Sequence, residues 1–174
     1  MNTNQAWILQ QDLIGVAEEL MGPRSLAFRL RAPTFQDGGP RLRFSPDLSE
    51  VWVELSRNAA GYWPTLVFEL AHETIHLLDP VIGYTNFLEE GVATHFQFLI
   101  TPKISGVEIP VTLESYRAAQ SLVLELGSRP FEVARLVRAR CGALGRASAE
   151  DLWSLFPFAD SGVIESLVST CIPR

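Results

Sequence analysis

The sequence predicts an α+β fold, and three observations carry that reading. Short segments of β-like character come first and a run of helical segments follows, the order expected when strands and helices segregate. With 174 residues, 47% of them hydrophobic, the chain can bury roughly 70% of the surface its unfolded form exposes, so a core forms without a disulfide staple or a structural metal. No repeat or low-complexity run interrupts it, and Gly22-Pro23 and Gly38-Gly39-Pro40 are turn-sized rather than linker-sized. We therefore expect one domain over 1–174: an N-terminal helix and strands in 1–63, two central helices in 64–100, and a mainly helical part in 101–174.

The elements follow in order. Residues 5 to 20 read as an amphipathic helix closed near Gly22. Leu26 to Arg31, Arg41 to Phe44 and Val51 to Leu55 read as strands; in the last, Val51, Val53 and Leu55 face one way and Trp52, Glu54 and Ser56 the other, the alternation of a half-buried strand. From Pro64 the signals turn helical: Pro64 to Leu78, Phe87 to about Ile100, Leu113 to Leu126, Phe131 to Arg140, Ala149 to Leu155 and Val163 to Thr170. Thr112, Ser128 and Ser148 suit N-caps, and Gly127 and Gly142 suit C-terminal stops.

Two of the 3 histidines, His72 and His76, lie one turn apart on the helix that Pro64 opens and Pro80 stops. At 100° per residue, Thr65, Glu69, His72, Glu73 and His76 share one arc, while Leu66, Val67, Phe68, Leu70, Ala71, Ile75, Leu77 and Leu78 fill the opposite one. An i, i+4 histidine pair directs two ring nitrogens at one ion at ~2.0 Å, as tetrahedral Zn²⁺ requires of two ligands, and the intervening Glu73 projects beside that axis as a base. A random shuffle of this composition yields such a H-E-x-x-H about 0.004 times, so the pattern is informative.

A catalytic zinc takes a third protein ligand and keeps one position open. Asp79, Glu89, Glu90 and His95 are the candidates. Asn86 is a good N-cap whose partner three residues on, Glu89, can reach back to its N–H in a capping box, which leaves Glu90 free. His95 is about 140° round the helix from Glu90 and reads as a packing histidine, and Asp79 as a helix-terminal group. Gly91 costs a helix interior ~1 kcal/mol and implies a closely approaching backbone, expected to be that of the histidine helix.

His72-Glu73-Thr74-Ile75-His76 followed by Phe87-Leu88-Glu89-Glu90-Gly91-Val92-Ala93 resembles the gluzincin zinc metallopeptidases of the zincin-like superfamily, and the small size resembles the compact minigluzincins. In that pattern the glutamate before the glycine binds zinc, which corresponds to Glu90. The resemblance covers about residues 64 to 97. It departs in the short spacing between His76 and Glu90, and in Thr94, which stands where thermolysin-like enzymes carry an aspartate that orients a histidine. It implies a zincin-like fold and a zinc-dependent hydrolase. His72, His76 and Glu90 would hold Zn²⁺, and Glu73 would take a proton from the activated water and pass it to the leaving amine of a peptide or protein substrate. It also implies that substrate backbone adds to the edge of the Val51 to Leu55 strand. Tyr116 and Tyr84 are candidate donors to the oxyanion. Two other readings use the same residues: a non-catalytic zincin-like binding or regulatory module, and hydrolysis of a non-peptide amide or ester.

Composition narrows the partners. The formal charge of −6 disfavours nucleic-acid binding, which needs a basic face. No stretch approaches the ~18 uninterrupted apolar residues of a membrane span, and the first residues carry no signal-peptide pattern. Cys141 and Cys171 lack metal or disulfide spacing, so the expected compartment is the cytoplasm. Arg129, Arg135, Arg138, Arg140 and Arg146 face Glu132 alone within 129–146, a segment read as a solvated helix face or as the dock of an acidic partner.

Overall fold

The computed structural model describes residues 2–172 and is α+β, as predicted. Helix α1 (Thr3–Met21) is followed by strands β1 (Arg29–Leu30), β2 (Thr34–Gln36), β3 (Arg41–Phe44) and β4 (Glu50–Ser56). Helices α2 (Arg57–Gly61), α3 (Trp63–His76), α4 (Phe87–Ser105), α5 (Glu114–Leu126), α6 (Pro130–Cys141), α7 (Ala149–Leu155) and α8 (Ser161–Val168) complete the chain, with a 3₁₀ turn at Leu144–Arg146. Two compact units are formed. The first comprises the chain up to Glu19, Pro23–Pro80 and Phe96–Pro110, and the second Leu20–Gly22, Val81–His95 and the chain from Val111 onward.

In the first unit β4 is the organising strand. Val51 pairs with both Leu30 and Phe44, and Glu54 with both Thr34 and Arg41, so β1 and β2 share one edge end to end, in parallel, and β3 covers the other, antiparallel. The expected edge strand is thus central, with strand neighbours along both of its edges. Among the described residues no strand pairs with the outer edge of β3. Sequence alternation held: Val51, Val53 and Leu55 are fully buried while Trp52 and Glu54 are only partly so, and the buried side faces α3, which packs on β4 and β3. Leu66, Val67, Leu70 and Ala71 are fully buried on α3. At ~25 cal/mol per Å² such side chains each contribute about 1.5–3 kcal/mol of burial, apart from the smaller Ala71.

Several boundaries moved for local reasons. Helix α4 continues through Pro102, which cannot donate to the helical ladder, and hydroxyls bond back along its last turns, Thr101 Oγ1 to the Gln97 carbonyl at 2.7 Å and Ser105 Oγ to that of Thr101 at 2.8 Å. Helix α8 starts before Val163 because Asp160 Oδ1 accepts from the N–H groups of Gly162 and Val163. Ser148 forms the expected cap, in a capping box with Asp151, and Gly142 ends α6 with φ 79°. Thr112 and Ser128 are not caps: Leu113 and Arg129 occupy those positions without a side-chain bond.

In the second unit α5 packs with α8 and α6, and α7 with α6 and α8. Two of the arginines in 129–146 serve the end of α1. Arg138, 8% exposed, donates from Nη1 to the carbonyls of Met21 and Gly22, both at 2.7 Å, and Arg135 Nε donates to Leu20 at 3.0 Å. These close carbonyls that a helix C-terminus leaves without intrahelical donors.

Candidate metal centre

Helix α3 is built to hold its polar arc fixed. Pro64 lies in its first turn and Leu77 caps it. Glu69 Oε2 accepts from the Ser56 N–H at 2.8 Å and Oε1 from the Ser56 hydroxyl, tying the helix to the end of β4 one turn before His72. The same Ser56 hydroxyl accepts from Ala59 N–H and so caps α2. Gln97 Nε2 donates to the Phe68 carbonyl at 2.8 Å, a second anchor. Burial raises the Glu69 carboxyl above the usual carboxylate range, against the lowering effect of its two Ser56 bonds. Glu69 and Ser56 were not singled out from sequence. The signal was available in a carboxylate sharing the histidine arc and a serine turned to the polar side of the preceding strand.

The polar arc is not a solvated surface. His72 is 3% exposed and Glu73 5%, and His76 is half-buried. The two imidazole rings are 5.1 Å apart between centroids at an interplanar angle of 63°. His72, His76 and Glu90 each offer a ligand atom, all lying within 4.8 Å of one another. A tetrahedral ion at ~2.1 Å from each ligand needs donor atoms roughly 3.4 Å apart, a separation inside that limit. Two neutral imidazoles and a carboxylate are a donor set suited to a divalent cation of borderline softness, so the group can hold a metal ion.

Around Glu90 the second unit explains why this glutamate rather than its neighbour is presented. Asn86 Oδ1 accepts from the Glu89 N–H at 3.0 Å, and Asn86 Nδ2 donates to the Leu144 carbonyl at 3.0 Å. Glu89, 3% exposed, accepts from Thr85 Oγ1 at 2.8 Å, so its carboxylate is engaged with the Thr85 hydroxyl, and the Asn86 half of the expected capping box is the bond to the Glu89 N–H. The segment before α4 is also stitched to the chain after α8. Phe87 N–H donates to the Ser169 carbonyl at 3.1 Å and Cys171 N–H to that of Thr85 at 2.9 Å. The Cys171 thiol is pushed up to about 12, by burial first and by the Glu90 charge second.

The other candidates go elsewhere. His95 rests against Phe131, ring centroids 5.2 Å apart, with Gln120 Nε2 3.5 Å from its Nδ1, and burial lowers its pKa; it is a packing histidine, as read. Asp79 is half-buried beyond the end of α3 and does not join the His72, His76 and Glu90 group. Tyr84 is 69% exposed and Tyr116 is half-buried on α5. Thr94 is fully buried, and its Oγ1 has no hydrogen-bond partner among the described residues. Gly91 does mark a close approach, and the nearest backbone is that of α5 rather than the expected histidine helix: a Cβ there would lie 2.3 Å from the Ala119 carbonyl oxygen and 2.5 Å from Val123 Cγ2. Both cysteines are free.

No helix among the described residues is long and apolar enough to cross a membrane. No protein-family model, no curated protein and no solved structure matches this chain. That the group of His72, His76 and Glu90 can hold a metal ion therefore rests on its own chemistry and geometry.

Proposed function

We propose that the protein is a zinc-dependent hydrolase of zincin-like fold that cleaves peptide bonds. The observation that carries this reading is the convergence of His72, His76 and Glu90 with a buried glutamate, Glu73, between the two histidines in sequence. A purely structural cation would need no base there. His72, His76 and Glu90 would hold the ion, which when bound supplies Lewis-acid activation of water and of a carbonyl. Glu73 is the proton carrier: it accepts a proton from the attacking water and returns it to the leaving amine. Its burial keeps bulk solvent from competing for that proton. Glu69 holds α3 against β4, so the histidines and Glu73 keep their arc.

The outer edge of β3, which pairs with no strand among the described residues, supplies the template for substrate backbone that the central β4 cannot. Ser45 N–H bonds to the Glu50 carbonyl, so by antiparallel alternation Arg41 and Arg43 bond inward to β4 while Leu42 and Phe44 turn N–H and C=O outward. An extended peptide can pair there with little demand on its sequence.

The test is paired. Wild type and Glu73→Gln are compared for zinc content and for cleavage of an unstructured protein. Retained zinc with lost cleavage in the variant is expected. Equal cleavage by both removes Glu73 from the mechanism, and a metal-bound wild type that cleaves nothing overturns the peptidase reading.

A further inference from the structure

The sheet face turned away from α3 carries an unusual charge arrangement. Arg29 lies opposite Glu50, Arg41 opposite Glu54 and Arg43 opposite Trp52. Glu54 takes both Arg41 and Arg43, at 2.9 and 3.3 Å, and Glu50 takes both Arg29 and Arg31, the latter at 3.3 Å. The Arg31 guanidinium sits 4.8 Å above the Trp52 ring. Each glutamate thus serves two arginines and leaves one positive charge over. The carboxylates form the floor, with side chains 15% and 17% exposed, while Arg41 and Arg43 reach outward at 54% and 53%. The face carries +2 in a chain of −6, so the remainder carries −8, a field that repels a long polyanion but not a short acidic segment.

We propose that Arg41 and Arg43 set the substrate class: extended segments bearing Asp or Glu at alternate positions, i and i+2, docked along β3. This rests on the peptidase reading's use of the β3 edge. In an added strand, side chains at i and i+2 fall on one face, and those facing the arginines have Cβ atoms about 4.5–5.5 Å from their cross-strand partners. Acidic residues at i and i+1 would split between the two faces, so only one would meet a guanidinium. Two favourable cross-strand charge pairs favour the acidic peptide over a neutral one by roughly threefold to tenfold in affinity.

Binding to zinc-loaded Glu73→Gln is measured by fluorescence anisotropy with peptides of one length. Their variable pair is Glu, Gln or Lys at i and i+2, or Glu at i and i+1. The expected order is Glu at i, i+2 tightest, then Glu at i, i+1, then Gln, then Lys. Arg41→Gln/Arg43→Gln should abolish the order and Arg41→Glu/Arg43→Glu should reverse it. Arg29→Gln, on the other edge of the same face, should leave it intact. Circular dichroism confirms that the variants fold, and single Arg41→Gln and Arg43→Gln variants carry the same comparison if a double variant does not. Equal binding of all peptides, no binding, or a preference that survives in Arg41→Gln/Arg43→Gln overturns the proposal. So does equal preference for i, i+1 and i, i+2, which would indicate diffuse attraction. Wild type that cleaves acidic and neutral peptides equally refutes the arginine role and leaves the peptidase reading standing. An intact i, i+2 preference without any cleavage does the opposite.

Discussion

Replacing Gly91 with alanine separates local propensity from packing because the two predict opposite signs. In an exposed helix interior alanine is favoured over glycine by about 1 kcal/mol. On α4, however, the new methyl would sit 2.3 Å from the Ala119 carbonyl oxygen, 2.5 Å from Val123 Cγ2 and 2.7 Å from the Ala119 carbonyl carbon. Overpacking by a single carbon costs about 1–3 kcal/mol, and the upper end applies where the obstacle is backbone that cannot change rotamer. The net expectation is a loss of about 2 kcal/mol, which for a chain of this size lowers Tm by roughly 4–8 °C. Thermal unfolding followed by circular dichroism, with a chelator present to remove metal linkage, reads this directly. Adding Val123→Ala should restore only part of the loss, because the Ala119 carbonyl remains. A Tm for Gly91→Ala equal to or above wild type would refute the close approach of α5 and leave propensity alone to explain the site.

Other expectations follow from contacts already described. Arg138→Ala leaves the carbonyls of Met21 and Gly22 without their charged donor and should cost about 2–3 kcal/mol by urea denaturation, with Arg138→Lys recovering only part of it. Glu90→Ala should weaken zinc by more than about 100-fold in a chelator competition, whereas Glu89→Ala should chiefly lower Tm; the reverse ranking would exchange their roles. Burial lowers the His95 pKa, so the unfolded chain binds the proton more readily. Stability from this group is full above its unfolded value near 6.5 and declines as pH falls through that value toward the folded one. The Tm of wild type relative to His95→Gln should therefore drop between pH 7.5 and 5.5, and a constant difference would show that His95 titrates normally.

The elements that sequence reading placed well are those whose signals are local. Strand β3 and helix α7 carry their boundaries in alternation, in the Ser148 cap and in turn residues. The histidine arc of α3 was visible because eight apolar residues define its complement. The misses are tertiary. Strand β2 is three residues behind Pro33, too short to show alternation, and exists because β4 offers it a partner. Helix α2 is one turn that depends on the Ser56 hydroxyl. Gly91 announced that a backbone comes close, but a missing Cβ does not say whose. The strand edge was misjudged for a related reason: Val51 to Leu55 has the face pattern of a half-buried strand whether its edges are open or paired. Glu90 was legible because Asn86 and Glu89 fix the helix start between them, and that start is local.

The backbone bonds of Phe87 to Ser169 and of Cys171 to Thr85 bear on how the protein is made. During synthesis His72 and His76 emerge early, and α4 follows with its N-terminal turn lacking the strand-like partner on which it finally rests. That partner arrives only after α5 to α8 have been translated. Loop closure over so long a separation is slow relative to local helix formation. The nascent protein therefore passes through a period in which the histidine pair exists but the chain presenting Glu90 is not yet clamped. Metal acquired in that interval would be held by fewer ligands and exchange readily, and tight loading should lag behind the appearance of helical signal during refolding.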